Sequence, residues 1–208
     1  MKKIGIMGGT FNPIHMAHLI LAESAREQVG LSAVMFLPTK RTEEKADAYI
    51  LPDAMRCRMV ELAIAGNPNF YLSRLELERE GMTYTADTVT ALKRENPETE
   101  FYFIIGGDSL VSFLSWRRPD VILKHAHLLA TSRGAIPPEQ ILGAAEKIRV
   151  KFSADVQLFD TPQMEISSTG IRERLAAHRS VKYLVPEAVE HFLETHRCYQ
   201  KVQKGVEE

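Results

Sequence analysis

The sequence has little cysteine, no long apolar run and no excess of charge of either sign. Its 208 residues include two cysteines, Cys57 and Cys198, which form no CxxC pair, so neither a disulfide framework nor a cysteine-based zinc site is expected. The 26 basic and 27 acidic residues give a net charge of −1, which provides no long-range attraction for nucleic acid or anionic lipid. We therefore expect no nucleic-acid partner.

Signals for export and membrane insertion are also lacking. The strongly apolar stretches, such as Phe101–Ile105, are too short to span a bilayer. Lys2 and Lys3 are followed by Gly8 and Gly9 rather than by the apolar region of a signal peptide. Together with the scarcity of cysteine, this favours a cytoplasmic location without a membrane partner.

What remains is ordinary globular composition. Hydrophobic residues make up 45% of the chain and charged residues 25%, and the length suffices for one core. We expect residues 1–200 to form a single domain with a helical C-terminal part from about residue 167, and residues 201–208 to form a frayed tail. The sequence leaves open whether the chain forms an oligomer.

Segments with the periodicity of strands and helices alternate along the chain. Strands are predicted at Lys3–Met7, Ala33–Leu37, Phe70–Leu77, Phe101–Ile105, His127–Thr131 and Val156–Phe159. Helices are predicted at His15–Val29, Pro52–Ala65, Tyr84–Glu95 (capped by Thr85 or Asp87), Asp108–Phe113, Pro119–Lys124, Pro137–Arg149, Ser167–Ala177 and Pro186–His196. The polar segment Thr39–Leu51 is typical of a surface loop. This alternation predicts an α/β fold with a doubly wound parallel sheet covered on both faces.

Three segments that suit a ligand follow predicted strands: Gly8–His18, Gly106–Asp108 and Ser167–Arg172. Ligands bind to such sheets beyond the carboxyl ends of the strands. The predicted topology therefore brings all three segments to one crevice.

The first segment combines a glycine turn with two histidines at the start of a helix. Gly8 and Gly9 allow a tight turn and a close approach of the backbone to a ligand. His15 and His18 are three residues apart, near a helix N-terminus that attracts anions. This arrangement suits a polyphosphate, although structural roles or a two-histidine contribution to a metal site stay open.

The second segment is typical of a capped helix that carries phosphate-binding groups. Ser167 or Ser168 is a suitable N-cap, and Ser168, Thr169 and Arg172 can present hydroxyls and a guanidinium near the helix start. Arginine binds phosphate in a bidentate manner. The alternative is an ordinary capped helix with solvated charges.

The third segment, Gly106–Asp108, follows the most hydrophobic predicted strand. Its glycines allow a flat base to lie against the backbone, and Asp108 can accept hydrogen bonds from ribose hydroxyls. The alternative is a simple strand-to-helix turn in which Asp108 caps the helix.

Two of these segments resemble the paired HxGH and ISSTxIR signatures of the nucleotidylyltransferase superfamily, and further stretches resemble its bacterial nicotinate-nucleotide adenylyltransferase family. The signatures lie at Gly8–His18 and Ile166–Arg172, and the further stretches at Glu78–Thr88, Phe103–Asp108, Trp116 and Tyr183–Val189. The resemblance covers most of the chain.

The resemblance implies a Rossmann-like fold and a specific reaction. ATP and nicotinate mononucleotide would give nicotinate adenine dinucleotide and pyrophosphate in NAD biosynthesis, with Mg²⁺ carried by ATP. The family's functional residues map onto matching positions of this sequence. Catalysis is then expected of His15, His18 and Arg172. ATP binding is expected of Gly8, Gly9, Thr10, Phe11, Gly106, Asp108, Ser167, Ser168 and Thr169. Binding of the nicotinate nucleotide is expected of Lys45, Thr85, Trp116 and Arg133.

The sequence departs from the family pattern at several positions. Asn12 stands where the family usually has Asp, and Ala17 where it has Gly. The family's PPHK loop reads Thr42–Lys45 here, with Glu44 in place of the histidine. Two alternatives therefore stay open: an adenylyltransferase for another acceptor, such as nicotinamide mononucleotide or phosphopantetheine, and a nucleotide sensor without catalysis.

Overall fold

A parallel β-sheet of six strands, in the order β3-β2-β1-β4-β5-β6, organises the molecule. The computed structural model describes residues 2–40, 50–131 and 136–200. The strands are β1 (Lys2–Gly9), β2 (Ala33–Pro38), β3 (Phe70–Leu72), β4 (Thr99–Ile105), β5 (His127–Thr131) and β6 (Val156–Phe159). This order is that of a doubly wound sheet and confirms the predicted Rossmann-like α/β fold.

Helices connect the strands and cover both faces of the sheet. They are α1 (Met16–Val29), α2 (Asp53–Ile64), α3 (Leu75–Glu78), α4 (Thr85–Glu95), α5 (Gly107–Ser112), α6 (Pro119–His125), α7 (Pro138–Phe152), α8 (Ser168–Ala176) and α9 (Glu187–Thr195). A 3₁₀ turn, Phe113–Ser115, follows α5. No helix in the described ranges is long and apolar enough to cross a membrane.

The central strand β1 separates two hydrophobic cores because its side chains alternate between the faces of the sheet. Met7 belongs to the core that contains the buried residues of α1, α2, α8 and α9. Ile4 and Ile6 belong to the core on the opposite face, under α4 to α7. The helical C-terminal part is therefore packed against the α1 side of the sheet.

Successive strands are added on one side of β1 up to β3 and on its other side from β4 onward. This reversal of the strand order places a crevice at the carboxyl end of the sheet. Strand β1 pairs with β2 on one side, where Gly9 lies opposite Pro38. It pairs with β4 on the other side, where Ile6 lies opposite Phe103. The connections after β1 and β4 therefore diverge, which leaves a gap beyond the carboxyl ends of these two strands.

Two local predictions are wrong. The strand predicted over Phe70–Leu77 ends at Leu72, and a helical turn, α3, follows. Among the described strands, β3 lies at the edge of the sheet and pairs only with β2, over three residues. The Ser73 hydroxyl then accepts a hydrogen bond from the Leu75 N–H, and a turn begins there.

Helix α4 is capped by neither Thr85 nor Asp87. Its N-cap is Tyr84, which makes no side-chain capping bond, and both predicted caps lie inside the first turn. Asp87 still complements the positive end of the helix dipole there. The helix boundaries otherwise agree within a few residues, and α7 continues to Phe152. Most of the predicted loop Thr39–Leu51 and the predicted tail 201–208 lie outside the described residues.

Candidate functional site

A cavity of about 480 Å³ occupies the crevice beyond β1 and β4. All three segments predicted to meet there line it: Gly8, Gly9, Thr10, His15 and His18 from the first, Ser167 and Ser168 from the second, and Gly106 and Asp108 from the third. The predicted convergence is therefore confirmed. The ligand that each residue binds stays a prediction.

The two histidines form a stacked pair at the start of α1. Their ring centroids are 3.7 Å apart. His15 is the N-cap, with an extended φ of −148°, so it precedes the helix rather than belonging to its first turn as predicted. The His15 backbone N–H donates to Nδ1 of His18 at 3.2 Å. Because Nδ1 is an acceptor, the neutral His18 ring carries its proton on Nε2, where it can donate to a ligand.

Both rings are neutral at pH 7. Burial lowers the pKa of His15 from its ordinary 6.5 to about 4. Burial and, to a smaller extent, the charge of His15 lower the pKa of His18 well below its usual value. The Nδ1 atom of His15 is buried without a hydrogen-bond partner. A negatively charged ligand at this pair would favour the protonated rings and raise both pKa values.

Phe11 packs against the histidine pair from the core side. Its backbone has a left-handed φ of 48°, and its side chain is buried. The ring meets His18 edge-on, with centroids 5.1 Å apart. A Cβ on Gly9 would lie 3.1 Å from the same ring, so glycine gives Phe11 the space it needs. Phe11 does not line the cavity and fixes the position of His18 from the core side.

The second signature segment is bonded directly to the first. The Ser167 hydroxyl accepts a hydrogen bond from the Gly170 N–H at 3.1 Å, so Ser167 is the N-cap of α8, as predicted. The Ser168 hydroxyl donates to the Pro13 carbonyl at 2.8 Å across 155 residues of sequence. Helix α8 is thereby fixed against the loop that begins α1.

Arg172 strengthens this link. One guanidinium N–H donates to the Asn12 carbonyl at 2.9 Å, and the other terminal nitrogen donates to the Thr169 hydroxyl at 3.1 Å. Neither Arg172 nor Thr169 lines the cavity; Thr169 is exposed and Arg172 is half-buried. The guanidinium is therefore anchored to the loop that begins α1, across 160 residues of sequence.

The third segment, Gly106–Asp108, contributes a carboxylate to the lining of the cavity. Gly106 is the N-cap of α5 and Asp108 lies in its first turn, so the alternative in which Asp108 caps the helix is wrong. A Cβ on Gly106 would lie 2.6 Å from an Asp108 carboxylate oxygen. The absence of a side chain at Gly106 therefore allows the carboxylate its position at the cavity.

The residues predicted to contact a nicotinate ring continue the cavity on one side. Thr85 and Trp116 line the main cavity and also an adjoining depression of about 460 Å³, which Tyr84 and Arg117 share. The Trp116 ring is held edge-on by Phe103, with centroids 6.0 Å apart. The Arg117 guanidinium lies 4.3 Å from the Tyr84 ring centroid. Lys45 and Arg133 lie outside the described residues.

Two charged residues near the site were not predicted. Glu76 is buried and lines the cavity, and it accepts hydrogen bonds from Thr88 at 2.8 Å and Thr83 at 3.4 Å. Burial raises the pKa of its carboxyl group. The only local signal is that Glu76 stands between two leucines, Leu75 and Leu77. In the strand predicted over this segment, Glu76 would point away from both leucines, so the prediction does not place its carboxylate in the interior.

The second is Arg56, whose guanidinium is completely buried. It donates to the backbone carbonyls of Thr10, Thr39 and Leu51, and it pairs with Asp53. It therefore joins the glycine turn to the end of β2 and the start of α2. No sequence signal distinguishes this arginine from the other charged residues of an amphipathic helix.

Comparisons with known proteins identify the family of this chain. The cytidylyltransferase-like family matches residues 6–174. The probable nicotinate-nucleotide adenylyltransferase of Lachnoclostridium phytofermentans is 45% identical over 96% of this chain and 100% of its own length. That of Moorella thermoacetica is 39% identical over 99% of this chain and 95% of its own length.

Solved structures agree in fold. The nicotinic acid mononucleotide adenylyltransferase of Plasmodium falciparum, complexed with NaAD, has a TM-score of 0.79 at 21% identity and covers 96% of this chain and 98% of its own. A putative nicotinate-nucleotide adenylyltransferase from Vibrio parahaemolyticus has a TM-score of 0.65 at 20% identity, covering 97% of each chain.

Proposed function

Because this chain belongs to the nicotinate-nucleotide adenylyltransferase family, we infer that the cavity beyond β1 and β4 is where it transfers the adenylyl group of ATP to nicotinate mononucleotide. The chain is a nucleotidyltransferase of NAD biosynthesis, and its products are nicotinate adenine dinucleotide and pyrophosphate. One observation carries the assignment of the site: the two signature segments meet at one cavity, joined by the Ser168–Pro13 hydrogen bond.

In this reaction the protein has to align the two substrates and stabilise the charge that develops on the phosphates. A phosphate oxygen of nicotinate mononucleotide attacks the α-phosphorus of ATP, and the bond from this phosphorus to the bridging oxygen of the β-phosphate breaks. The electron pair leaves with pyrophosphate. The attacking phosphate is already an anion, so no side chain has to be activated as a nucleophile. Catalysis then consists of holding two anions in line and stabilising the charge that develops.

The chain's residues fit these tasks. Neutral His18 donates from Nε2 to an α-phosphate oxygen, with His15 stacked behind it. Arg172 and the hydroxyls of Ser168 and Thr169 receive the β- and γ-phosphates and the departing pyrophosphate. The remaining ATP contacts come from the turn Gly8, Gly9 and Thr10, from Ser167, and from Gly106 and Asp108 at the adenosine end. Phe11 serves ATP binding indirectly in this proposal, because its buried ring packs against His18.

Magnesium enters with the nucleotide in this proposal. Magnesium in nucleotide sites is usually held by phosphate oxygens, water and one or two carboxylates. Among the described residues no cluster of three or more histidine, cysteine, aspartate or glutamate side chains could hold a metal ion, so the phosphate oxygens of ATP and water would supply most of the ligands. The ion supplies neutralisation of the phosphate charge when it is bound.

The acceptor occupies the side of the cavity formed by Thr85 and Trp116. The flat Trp116 ring suits a pyridine ring, and the adjoining depression extends the cavity in that direction. Lys45 and Arg133 are proposed as contacts of the mononucleotide. Both cysteines are buried and unpaired, which supports a reaction in the reducing cytoplasm.

An assay of pyrophosphate release tests the function. Purified protein, ATP and Mg²⁺ are combined in turn with nicotinate mononucleotide, nicotinamide mononucleotide and phosphopantetheine. The expected result is turnover with the first and much slower turnover with the others. Preference for another acceptor would correct the substrate but retain the chemistry. Tight ATP binding without turnover on any acceptor would identify a sensor instead.

A further inference from the structure

The loop Asn12-Pro13 is the point at which the two signature segments touch. Its carbonyl groups accept hydrogen bonds from Arg172 and Ser168, at 2.9 and 2.8 Å. A displacement of this loop therefore displaces the Arg172 guanidinium directly. The same loop leads into His15, so the catalytic groups at both ends of the triphosphate depend on its position.

The Asn12 side chain receives a further donor from the far end of the chain. Its Oδ1 atom accepts a hydrogen bond from the Tyr199 hydroxyl at 2.5 Å, across 187 residues of sequence. The same oxygen accepts the Leu51 backbone N–H at 3.1 Å. Asn12 is 4% exposed and Tyr199 7% exposed, so water competes little for this bond.

The turn after α9 places the Tyr199 hydroxyl beside the Asn12 side chain. Tyr199 has a left-handed φ of 61°, a conformation that residues other than glycine adopt only when the surrounding structure requires it. The preceding Cys198 N–H donates to the Leu193 carbonyl at 2.9 Å. Leu193 is fully buried in the core beneath α1 and α2. The hydroxyl is therefore held by a rigid part of the molecule.

We propose that Tyr199 is a positioning residue for adenylyl transfer. Its hydroxyl fixes the Asn12 side chain, and Asn12 in turn fixes the Arg172 guanidinium and the entry into His15. Tyr199 does not line the cavity, so its hydroxyl acts through Asn12. This role rests on the proposed function of the cavity.

The test is Tyr199→Phe, which deletes the hydroxyl and retains the ring. Misplacement of a catalytic group by a fraction of an ångström reduces its effect strongly, so we expect kcat to fall about tenfold. KM for nicotinate mononucleotide should stay unchanged, because Thr85 and Trp116 are remote from this bond. The loss of one hydrogen bond should lower the melting temperature by only about 2–4 °C.

Two control variants separate positioning from simple loss of stability. Tyr183→Phe removes the hydroxyl of a tyrosine that is 82% exposed, and it should change neither kcat nor the melting temperature. Val189→Ala truncates a fully buried residue of α9 and should lower the melting temperature by at least as much as Tyr199→Phe. It should leave kcat at 25 °C unchanged.

A double-mutant cycle then tests whether Tyr199 acts through Arg172. In an Arg172→Ala background, Tyr199→Phe should reduce kcat by a smaller factor than it does in the original protein, because one of the two groups that it positions is already absent. Unchanged kcat in Tyr199→Phe, or full additivity with Arg172→Ala, overturns the proposal.

The proposed function is tested by the unsubstituted protein in the same assay. If the unsubstituted protein releases no pyrophosphate with nicotinate mononucleotide, the proposed function is wrong. The positioning role of Tyr199 is then tested by measuring ATP binding in calorimetry. A dissociation constant about fivefold higher in Tyr199→Phe than in Tyr183→Phe would support the proposal, and equal constants would overturn it.

Discussion

The stacked histidines give the sharpest prediction for a single residue. Replacing His18 by alanine removes the Nε2 donor from the cavity and leaves the Phe11 ring in the core. Loss of one such donor to a developing charge typically costs about a hundredfold in rate. We therefore expect kcat for pyrophosphate release to fall about a hundredfold, while the far-ultraviolet circular dichroism spectrum is retained.

The matched control for this substitution is His191→Ala. His191 is exposed on α9 and does not line the cavity. Its replacement should leave kcat within twofold of the original. A His18→Ala variant with nearly normal kcat would exclude His18 from the mechanism and leave charge stabilisation to the backbone and Arg172.

The lowered pKa of His15 predicts how stability depends on pH. His15 has a pKa of about 4 in the folded state against 6.5 ordinarily, so the unfolded state binds this proton first as the pH falls. The stabilising contribution of neutral, buried His15 is complete above pH 6.5 and is lost between pH 6.5 and about 4. From pH 7.5 to 5, His15 alone should lower the free energy of unfolding by about 2 kcal/mol. His18, whose pKa is also lowered by burial, adds a loss of the same sign.

Urea unfolding of the original protein and of His15→Ala, each at pH 7.5 and pH 5, measures this contribution. The variant starts from a lower stability but should lose about 2 kcal/mol less over this range, because the titrating group is absent. Parallel losses in both proteins would show that burial of His15 does not determine the acid sensitivity.

Residue identities in the site were predictable where a short motif specifies them. The position of the glycines and histidines of Gly8–His18 at one cavity was predictable, because their chemistry and spacing are local properties of the sequence. Arg56 and Glu76 were not predictable, because their importance comes from burial. A buried charged side chain depends on which carbonyl and hydroxyl groups the tertiary fold brings to it, and no local pattern encodes that.

At the scale of elements, the turn from β4 to α5 gives a clean test. Gly106 has φ −74° and ψ 164°, which any residue can adopt, so Gly106→Ala does not strain the backbone. Its new Cβ would displace the Asp108 carboxylate, 2.6 Å away. If Asp108 binds the ATP ribose, KM for ATP should rise about tenfold, equivalent to about 1.4 kcal/mol of binding energy. Initial rates measured against ATP concentration give this value.

Gly143→Ala is the control for that substitution. Gly143 lies within α7, and a Cβ there would have no neighbour within 4 Å. Alanine stabilises a helix interior by about 1 kcal/mol relative to glycine, so this variant should melt at a higher temperature with unchanged KM. A Gly106→Ala variant with the KM of Gly143→Ala would separate Asp108 from ATP binding.

Elements were predictable where hydrophobic periodicity was long and unbroken. The buried strand at Phe101–Ile105 and the major helices follow from pattern alone. The segment after Phe70 failed, because β3 is a short edge strand whose end is set by its pairing with β2 and by the Ser73–Leu75 hydrogen bond. Edge strands are decided by tertiary contacts more than by propensity.

At the scale of the whole molecule, the site joins the first and last thirds of the chain. The Arg172–Asn12 bond spans 160 residues and the Tyr199–Asn12 bond spans 187. The parallel topology predicted that the first signature segment and α8 lie at the same carboxyl end of the sheet. The individual hydrogen bonds between them were not predictable, because they depend on how closely α8 approaches the loop before α1.

We therefore propose that residues 1–200 unfold as one cooperative domain, and that ATP stabilises all of it. A ligand at a hundred times its dissociation constant adds about 2.7 kcal/mol to the free energy of unfolding. For a chain of this length, each kcal/mol raises the melting temperature by about 2–4 °C. ATP with Mg²⁺, without an acceptor, should thus shift a single transition upward by about 5–10 °C in calorimetry.

If Arg172 binds the outer phosphates as proposed, Arg172→Ala should reduce this shift at the same ATP concentration, because a cation is lost and the loop Asn12-Pro13 loses its donor. Arg58→Ala, which removes a guanidinium that is 56% exposed on α2, should retain the full shift. Two separate transitions, or a shift that moves only one of them, would show that α8 and α9 fold independently of the sheet. ATP would then be bound by the N-terminal segments alone, and the hydrogen bonds between the two signatures would not be required for binding.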